Sequence, residues 1–252
     1  MQQNIPTKDY QIQLSDSAGE SFDQWMTDKS YSSIYVFMDE NVMEKCWPVL
    51  HNDSEVLKSA EIIVIEAGED QKDIEMAAQL WQTLMEYQAD RKSLWINFGG
   101  GMISDLGGFV ASTFKRGMDF INIPTTILSM VDASVGGKTA INMGSYKNQI
   151  GMFSSPKAIF MQANFIDSLS PKHQLSGWSE MLKHALIADK SHWTQLIKIK
   201  SLDSENLSPI LADSIRIKKN IVEEDPLEKG NRKKLNFFLH YWTCHRSLVI
   251  TS

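Results

Sequence analysis

The sequence predicts an α/β protein in two parts: a parallel sheet with helices on its faces over residues 1–170, and an all-helical part over residues 171–252. Three observations carry this. Apolar runs at 33–38, 61–65, 94–98, 120–123 and 157–161 have the length of strands, and the earlier ones alternate with helical spacing. Two glycine turns, Gly99-Gly100-Gly101 and Gly136-Gly137, break the apolar segments. From Gln174 onward the pattern is wholly helical, and Pro171 marks the boundary.

The elements follow in order. The run SIYVFM at 33–38 is a short strand, with Asp39, Glu40 and Asn41 at its carboxyl end and a helix over 42–50. Asp39 there reads either as a helix cap or as a ligand group at a strand end. The strand at 61–65 ends in a charged turn that holds Glu69 and Lys72. Residues 74–87 place Met76, Leu80 and Leu84 at helical intervals, which predicts a core-packed helix. The run at 94–98 is a buried strand, and helical spacing resumes after its three glycines. Glycine takes positive φ without strain and lets backbone approach a bound group. A strand, a glycine turn and a helix start make an anion site, because unpaired N–H groups point outward there. The next strand, 120–123, ends in Pro124-Thr125-Thr126, and Gly136-Gly137 then carries Lys138-Thr139. A loop is expected after Lys147-Asn148. The strand at 157–161 brings Phe165 and Ser168 to the site. Ligands of such sheets sit beyond the carboxyl ends of the strands. Asp39, Glu69, Gly99 to Gly101 and Thr125 converge there. In the helical part, Glu180 and Lys183 are three apart and face the same way, as an exposed ion pair or as a site. A second helical run covers 207–222.

Composition excludes several classes. A hydrophobic content of 42% and a charged content of 22% are those of an ordinary globular protein. The formal net charge of −6 argues against a nucleic-acid partner. Cys46 and Cys244 have no paired spacing, so neither a disulfide framework nor a cysteine metal site is expected. The polar N-terminus has no signal-peptide pattern, and no apolar run reaches the length of a membrane span. A cytoplasmic protein is the default expectation, without a membrane partner.

The glycine turns fit neither the dinucleotide fingerprint nor the P-loop spacing. The longer motifs decide: GGGMISDLGGF, FKRG, IPTTILSMVDASVGGKT, YKNQIG and SEMLKH, in this order and at these intervals, resemble 3-dehydroquinate synthases of the shikimate route to aromatic amino acids. The resemblance spans roughly residues 30–237. It implies a Rossmann-like NAD domain followed by an α-helical metal and substrate domain, here incomplete. It implies that Asp39, Asn41, Glu69, Lys72, Gly100, Gly101, Met102, Ile103, Ser104, Asp105, Thr125, Thr126, Asp132, Lys138, Lys147, Phe165 and Ser168 surround NAD. Lys138, Lys147, Asn148, Lys183, Lys218, Arg232 and Asn236 would line the site of a sugar acid phosphate. Arg116, in FKRG, resembles an arginine that the family lends to a neighbouring subunit, so a homodimer is implied. Glu180 resembles a ligand of zinc, or of cobalt in its place. By their own surroundings, Lys218 and Arg232 lie in charge-rich stretches that otherwise read as solvated surface. Asp132 and Lys138 are poor surface filler around Ser-Val-Gly-Gly. The family reaction oxidises a secondary alcohol with NAD, eliminates phosphate, returns the hydride and closes a carbocycle by an aldol step. Another sugar-phosphate cyclase, such as 2-deoxy-scyllo-inosose synthase, is the alternative of the same chemistry.

The sequence departs from the family pattern in three places. Ser104 stands where glycine is usual, and Trp178-Ser179 replaces Leu-Ala before Glu180. After Leu235-Asn236-Phe237 the family continues Gly-His-Thr-x-Gly-His-Ala, whereas this chain reads FLHYWTCHRSLVITS. His240 and His245 are off register as zinc ligands. Read one nucleotide later, the codons of residues 241–248 allow Ile-Gly-His-Ala-Ile-Glu-Ala. The hypothesis is a one-base frameshift just after Phe237, in the gene or its sequencing, giving a truncated chain that would be inactive with a single matched ligand, Glu180. Nucleotide sequence across that point tests it.

Overall fold

The computed structural model describes residues 2–236. Its chain order begins with β1 (Gln3–Pro6), β2 (Gln11–Ser15) and α1 (Ala18–Met26). Next come β3 (Ile34–Asp39), α2 (Glu40–Lys45), α3 (Trp47–Asn52), β4 (Glu61–Ile65) and α4 (Ile74–Glu86). These lead to β5 (Leu94–Gly99), α5 (Gly101–Thr113) and β6 (Asp119–Pro124). A hairpin of β7 (Lys138–Met143) and β8 (Tyr146–Phe153) precedes β9 (Ala158–Gln162). The helices α6 (Pro171–Ala188), α7 (Lys190–Leu196) and α8 (Ser204–Glu224) follow.

Seven strands form one sheet in the order β1-β2-β9-β6-β5-β3-β4, parallel except for the β1–β2 pair. The chain passes from β3 outward to β4, then back across β3 to β5. The direction of winding therefore reverses between β3 and β5, where open α/β sheets leave a crevice for ligands. Every residue of β5 and of β9 is buried, because both faces of the sheet are covered. Side chains alternate between two apolar clusters: Val36, Met38, Ile96 and Phe98 join one face, and Tyr35, Phe37, Trp95 and Phe120 the other. The first cluster extends into the helical part through Met181, Ala185, Leu207 and Leu211.

Three sequence expectations change. Residues 42–50 are not one helix: α2 and α3 meet at Cys46, and Pro48 lies in the first turn of α3. The stretch after Lys147-Asn148 is not a loop but strand β8, exposed along its length and paired only with β7. Lys157 lies just outside β9. The polar N-terminal segment, unassigned from sequence, supplies β1, β2 and α1; β2 alternates buried Ile12 and Leu14 with polar neighbours against β9.

A buried polar chain fixes how closely α5 lies on the sheet. Trp95 Nε1 donates to Asn97 Oδ1 (2.6 Å), and Asn97 Nδ2 donates to Asn122 Oδ1 (2.9 Å). Gly107 of α5 rests on this chain: a β-carbon there would lie 1.8 Å from Asn97 Oδ1 and 2.8 Å from Trp95 Nε1. Gly107→Ala is expected to lower the unfolding free energy by about 3 kcal/mol, since helix and sheet must separate or the hydrogen bonds break. Urea titration checks this; an unchanged midpoint would contradict the close contact.

Candidate active site

The carboxyl end of the sheet is built from glycine turns and short polar side chains. α5 starts at Gly100, whose extended backbone (φ −77°, ψ −171°) acts as the cap without a side chain. Most other helices here are capped by their own acids or hydroxyls: Ser17, Asp39, Asp73, Asp189 and Asp203 accept from backbone N–H groups. The first turn of α5 is therefore open toward an anion. Asp39 accepts from Val42 N–H (3.0 Å), so it is a helix cap at the strand end, with Asn41 exposed beside it. Thr125 is buried and its N–H donates to Gly99 O, while Thr126 caps the turn before Ser129.

The first polar cluster joins β4, α5 and the hairpin. Lys72 is 3% exposed, and its ammonium donates to Asp105 Oδ2 (2.6 Å) and Asn148 Oδ1 (2.5 Å). Lys147 Nζ lies 3.5 Å from Glu69 Oε1. Burial raises the Asp105 pKa to about 6 although Lys72 opposes it, with Asp132 and Glu69 adding to the rise. The folded-state value lies above the ordinary 3.8, so stability is fully present below pH ~4 and is lost as pH rises through about 6. Asp105→Asn is expected to remove that slope, on the order of 2 kcal/mol, in urea unfolding followed across this window. An unchanged slope would contradict the assignment.

The second cluster lies where α6 and α8 meet the sheet. A π-type turn at Ser129–Ala133 presents Asp132, whose carboxylate is in close contact with the Lys218 ammonium. Burial raises the Asp132 pKa, but Lys218, Lys183 and His184 outweigh it and hold the carboxyl well below its usual range. Glu180 is in close contact with Lys183, whose ammonium also donates to Leu235 O (2.5 Å). Lys138 pairs with Glu228 rather than with Asp132; burial, then Arg232 and Lys218, lower its pKa to about 8. Asn236 donates to Glu228 Oε1 (2.5 Å). Arg232 is 2% exposed and donates to Pro226 O (2.7 Å) and Gly136 O (3.1 Å). Gly136 needs glycine here twice over: its φ is 113°, and a β-carbon would lie 2.6 Å from Arg232 Nη2. Lys218 and Arg232 are thus buried and not solvated surface, against what their charge-rich stretches imply alone.

A metal fits at this second cluster. One donor atom each from Asp132, Glu180 and His184 lies within 4.8 Å of the other two. His184 is fully buried, and neither ring nitrogen has a hydrogen-bond partner among the described residues; Nε2 is 3.3 Å from Glu180 Oε1 without bonding geometry. Orphaned buried nitrogens beside two carboxylates are the donor chemistry of a divalent ion. Glu180, the one ligand matched by the resemblance, has two further possible donors beside it, Asp132 and His184. The i, i+4 spacing of Glu180 and His184 was the available signal; Asp132, far away in sequence, gave none.

Other expected residues lie elsewhere. Arg116 sits in an exposed turn with Lys115 and Gly117, all at positive φ. Phe165 is buried edge-on against Phe98 in the core, and the partly buried Ser168 donates to Phe165 O. Met102 and Ile103 pack in the apolar cluster behind α5, and Ser104 donates to Gly100 O, fitting the position where glycine is usual. Trp178 packs against the apolar core, and Gly177 beside it lies close on Ile127. Leu182 also packs there, while Leu186 is exposed. His240, His245 and the expected frameshift segment lie outside the described residues.

An open parallel sheet whose strand ends carry glycine turns, a buried lysine–acid pair and a cationic, metal-compatible cluster defines a Rossmann-like α/β fold. The fold is similar to a crystal structure of 2-deoxy-scyllo-inosose synthase (TM-score 0.81, 21% identity, 94% of this chain and 68% of that one). It is also similar to a 2-epi-5-epi-valiolone synthase from Streptomyces hygroscopicus with NAD+ and Zn2+ bound (TM-score 0.74, 20% identity, 92% and 66%). Residues 62–176 match the family model for the 3-dehydroquinate synthase N-terminal part and residues 177–242 that for the C-terminal part. The chain belongs to the 3-dehydroquinate synthase family. It is 42% identical to the 3-dehydroquinate synthase of Parabacteroides distasonis over 215 residues and 43% identical to that of Campylobacter concisus over 195. It covers 61% and 55% of those two proteins' lengths. No helix among the described residues is long and apolar enough to cross a membrane.

Proposed function

We propose that this chain carries the active site of a 3-dehydroquinate synthase, which converts 3-deoxy-D-arabino-heptulosonate 7-phosphate to 3-dehydroquinate and phosphate. One observation carries the reading: four cations, Lys138, Lys183, Lys218 and Arg232, surround Asp132 and Glu180 next to the open start of α5. Lys183, Lys218 and Arg232 are buried and Lys138 is exposed at their edge; a sugar acid phosphate brings two anionic groups to such a cluster. Lys138, with its pKa lowered to about 8, holds an ammonium at neutral pH and gives it up in mildly alkaline solution. Glu69, Lys72, Gly100 to Asp105 and Thr125 form the cofactor side. NAD supplies a reversible hydride acceptor when bound, and zinc or cobalt at Asp132, Glu180 and His184 supplies Lewis-acid polarisation of a hydroxyl. Neighbours of this fold carry NAD+ with Zn2+ or Co2+ in their crystals, in agreement with that pairing.

Residues 1–170 would be the NAD-binding domain and 171–252 the helical domain for metal and substrate. Arg116 is exposed on its left-handed turn; by the resemblance of FKRG it would serve a second copy, and a homodimer in the cytoplasm is part of this reading. The test is phosphate release with NAD and zinc supplied. This chain is compared with one whose frame after Phe237 is restored, on the heptulosonate phosphate and on a sugar phosphate without a carboxylate. Phosphate release from the carboxylated substrate, with no net change in nicotinamide absorbance, is expected of the restored chain. Preference for the other substrate would favour a different cyclase, and NADH accumulation without phosphate would overturn both. Turnover by this chain close to that of the restored one would overturn the expectation that the histidine motif is required.

A further inference from the structure

Asn142, at the end of β7, is 9% exposed and has no role in the site as derived so far. Its amide touches both halves of the first polar cluster. Nδ2 donates to Glu69 Oε1 (3.0 Å), and Oδ1 accepts from Asn148 N–H (3.0 Å). Its backbone N–H donates to Lys72 O (2.7 Å), while the Lys72 ammonium donates to Asn148 Oδ1 (2.5 Å). Lys72, Asn142 and Asn148 thus close a ring of three hydrogen bonds. The amide has one usable orientation. Flipped, it would turn its oxygen to the Glu69 carboxylate and its NH2 to the Asn148 N–H, losing both bonds.

We propose that Asn142 is a positioning residue that couples Glu69 and Lys72, on the nicotinamide dinucleotide side, to Lys147 and Asn148 at the start of β8 on the sugar-phosphate side. The inference rests on the cofactor reading above. β8 is exposed along its length and pairs only with β7, so little else holds the hairpin tip toward the sheet. Asn148 keeps a left-handed backbone (φ 56°), tolerated by asparagine and stabilised here by bonds to both its N–H and its side chain. Glu69 is otherwise half-exposed, and Lys147 lies 3.5 Å from its carboxylate. A dinucleotide that fixes Glu69 and Lys72 therefore fixes Asn142, and through it the start of β8 that carries Lys147. Coupling is reciprocal: sugar phosphate at the start of β8 tightens the dinucleotide.

The test is hydrogen exchange of the 144–150 amides, with and without saturating NAD, alongside calorimetric titration of NAD into the same samples. In the unmodified chain NAD is expected to slow exchange there by about fivefold or more, the lower end of typical site–site coupling. Asn142→Leu removes both bonds: NAD still binds, and the hairpin no longer responds. Asn142→Asp keeps the acceptor for Asn148 N–H but sets a carboxylate against Glu69. Its hairpin is expected to exchange as in the unmodified chain without NAD, with the response to NAD lost. Should Asn142→Leu fail to fold, the aspartate variant decides alone. NAD binding without hairpin protection in the unmodified chain, or full protection in either variant, overturns the inference. Absence of NAD binding overturns the cofactor reading and the inference with it.

Discussion

Replacing Lys72 by methionine is expected to abolish measurable NAD binding and to destabilise the fold by about 3 kcal/mol, the lower end for breaking a buried pair. The ammonium is nearly inaccessible and serves Asp105 and Asn148 at once. Methionine keeps the volume and apolar stem but leaves Asp105 without its closest opposite charge. Burial already raises the Asp105 pKa to about 6 with Lys72 present; without it the value goes higher and the carboxyl is neutral near pH 7. Asn148 loses one of the two bonds that hold its left-handed backbone in β8. Urea unfolding at pH 7 and NAD titration check the two parts separately. Stability within a few tenths of a kcal/mol of the parent, by the usual scale of surface changes, would mean that the pair is not buried as described.

Lys218→Met is expected to show the opposite dependence on acid. The Asp132 carboxyl is held low chiefly by Lys218 against the cost of burial. A depressed folded-state pKa contributes stability above the ordinary 3.8, and that stability is lost as pH falls through the depressed value. Removing Lys218 reduces that contribution, so the variant is less stable at neutral pH by about 2 kcal/mol, discounted because the Asp132 side chain is 29% exposed. Its stability should also fall less steeply in acid. Measured with a chelator present, an unchanged acid slope would contradict the pairing. Phosphate release by the restored-frame chain should fall as well, since the same ammonium is proposed to meet the substrate.

Much of the sheet was legible because its strands are continuous apolar runs. β3, β4, β5, β6 and β9 lie within a residue or so of their expected places, and the glycines between them mark turns that a backbone must make. The hairpin was not legible. β8 is exposed, so no alternation of burial marked it, and only its pairing with β7 makes it a strand. The N-terminal β1 and β2 were hidden for a similar reason, being short strands in a polar segment. Of the site, Glu69, Lys72, Asp105, Asp132, Glu180 and Lys183 could be placed by motif. The resemblance also put Lys218 and Arg232 there, but their burial was not legible: IRIKKN and EKGNRKK read as solvated charge until α8 and the segment after it fold against Asp132 and Gly136. Asp132 and His184 as partners of Glu180 depend on a contact between the π-type turn and α6, which no local pattern encodes. Asn142 carried no signal because its value lies in three contacts at distant positions.

The central claim is that the open start of α5, with Glu69, Lys72 and Asp105, holds a nicotinamide dinucleotide. Calorimetric titration of NAD into this chain tests it most directly, with circular dichroism to confirm that the sample is folded. One saturable site is expected, no longer measurable in Lys72→Met, with affinity that changes through the pH range in which Asp105 titrates. Folded protein that gives no heat at millimolar NAD, or that binds NAD equally well without Lys72, would contradict it.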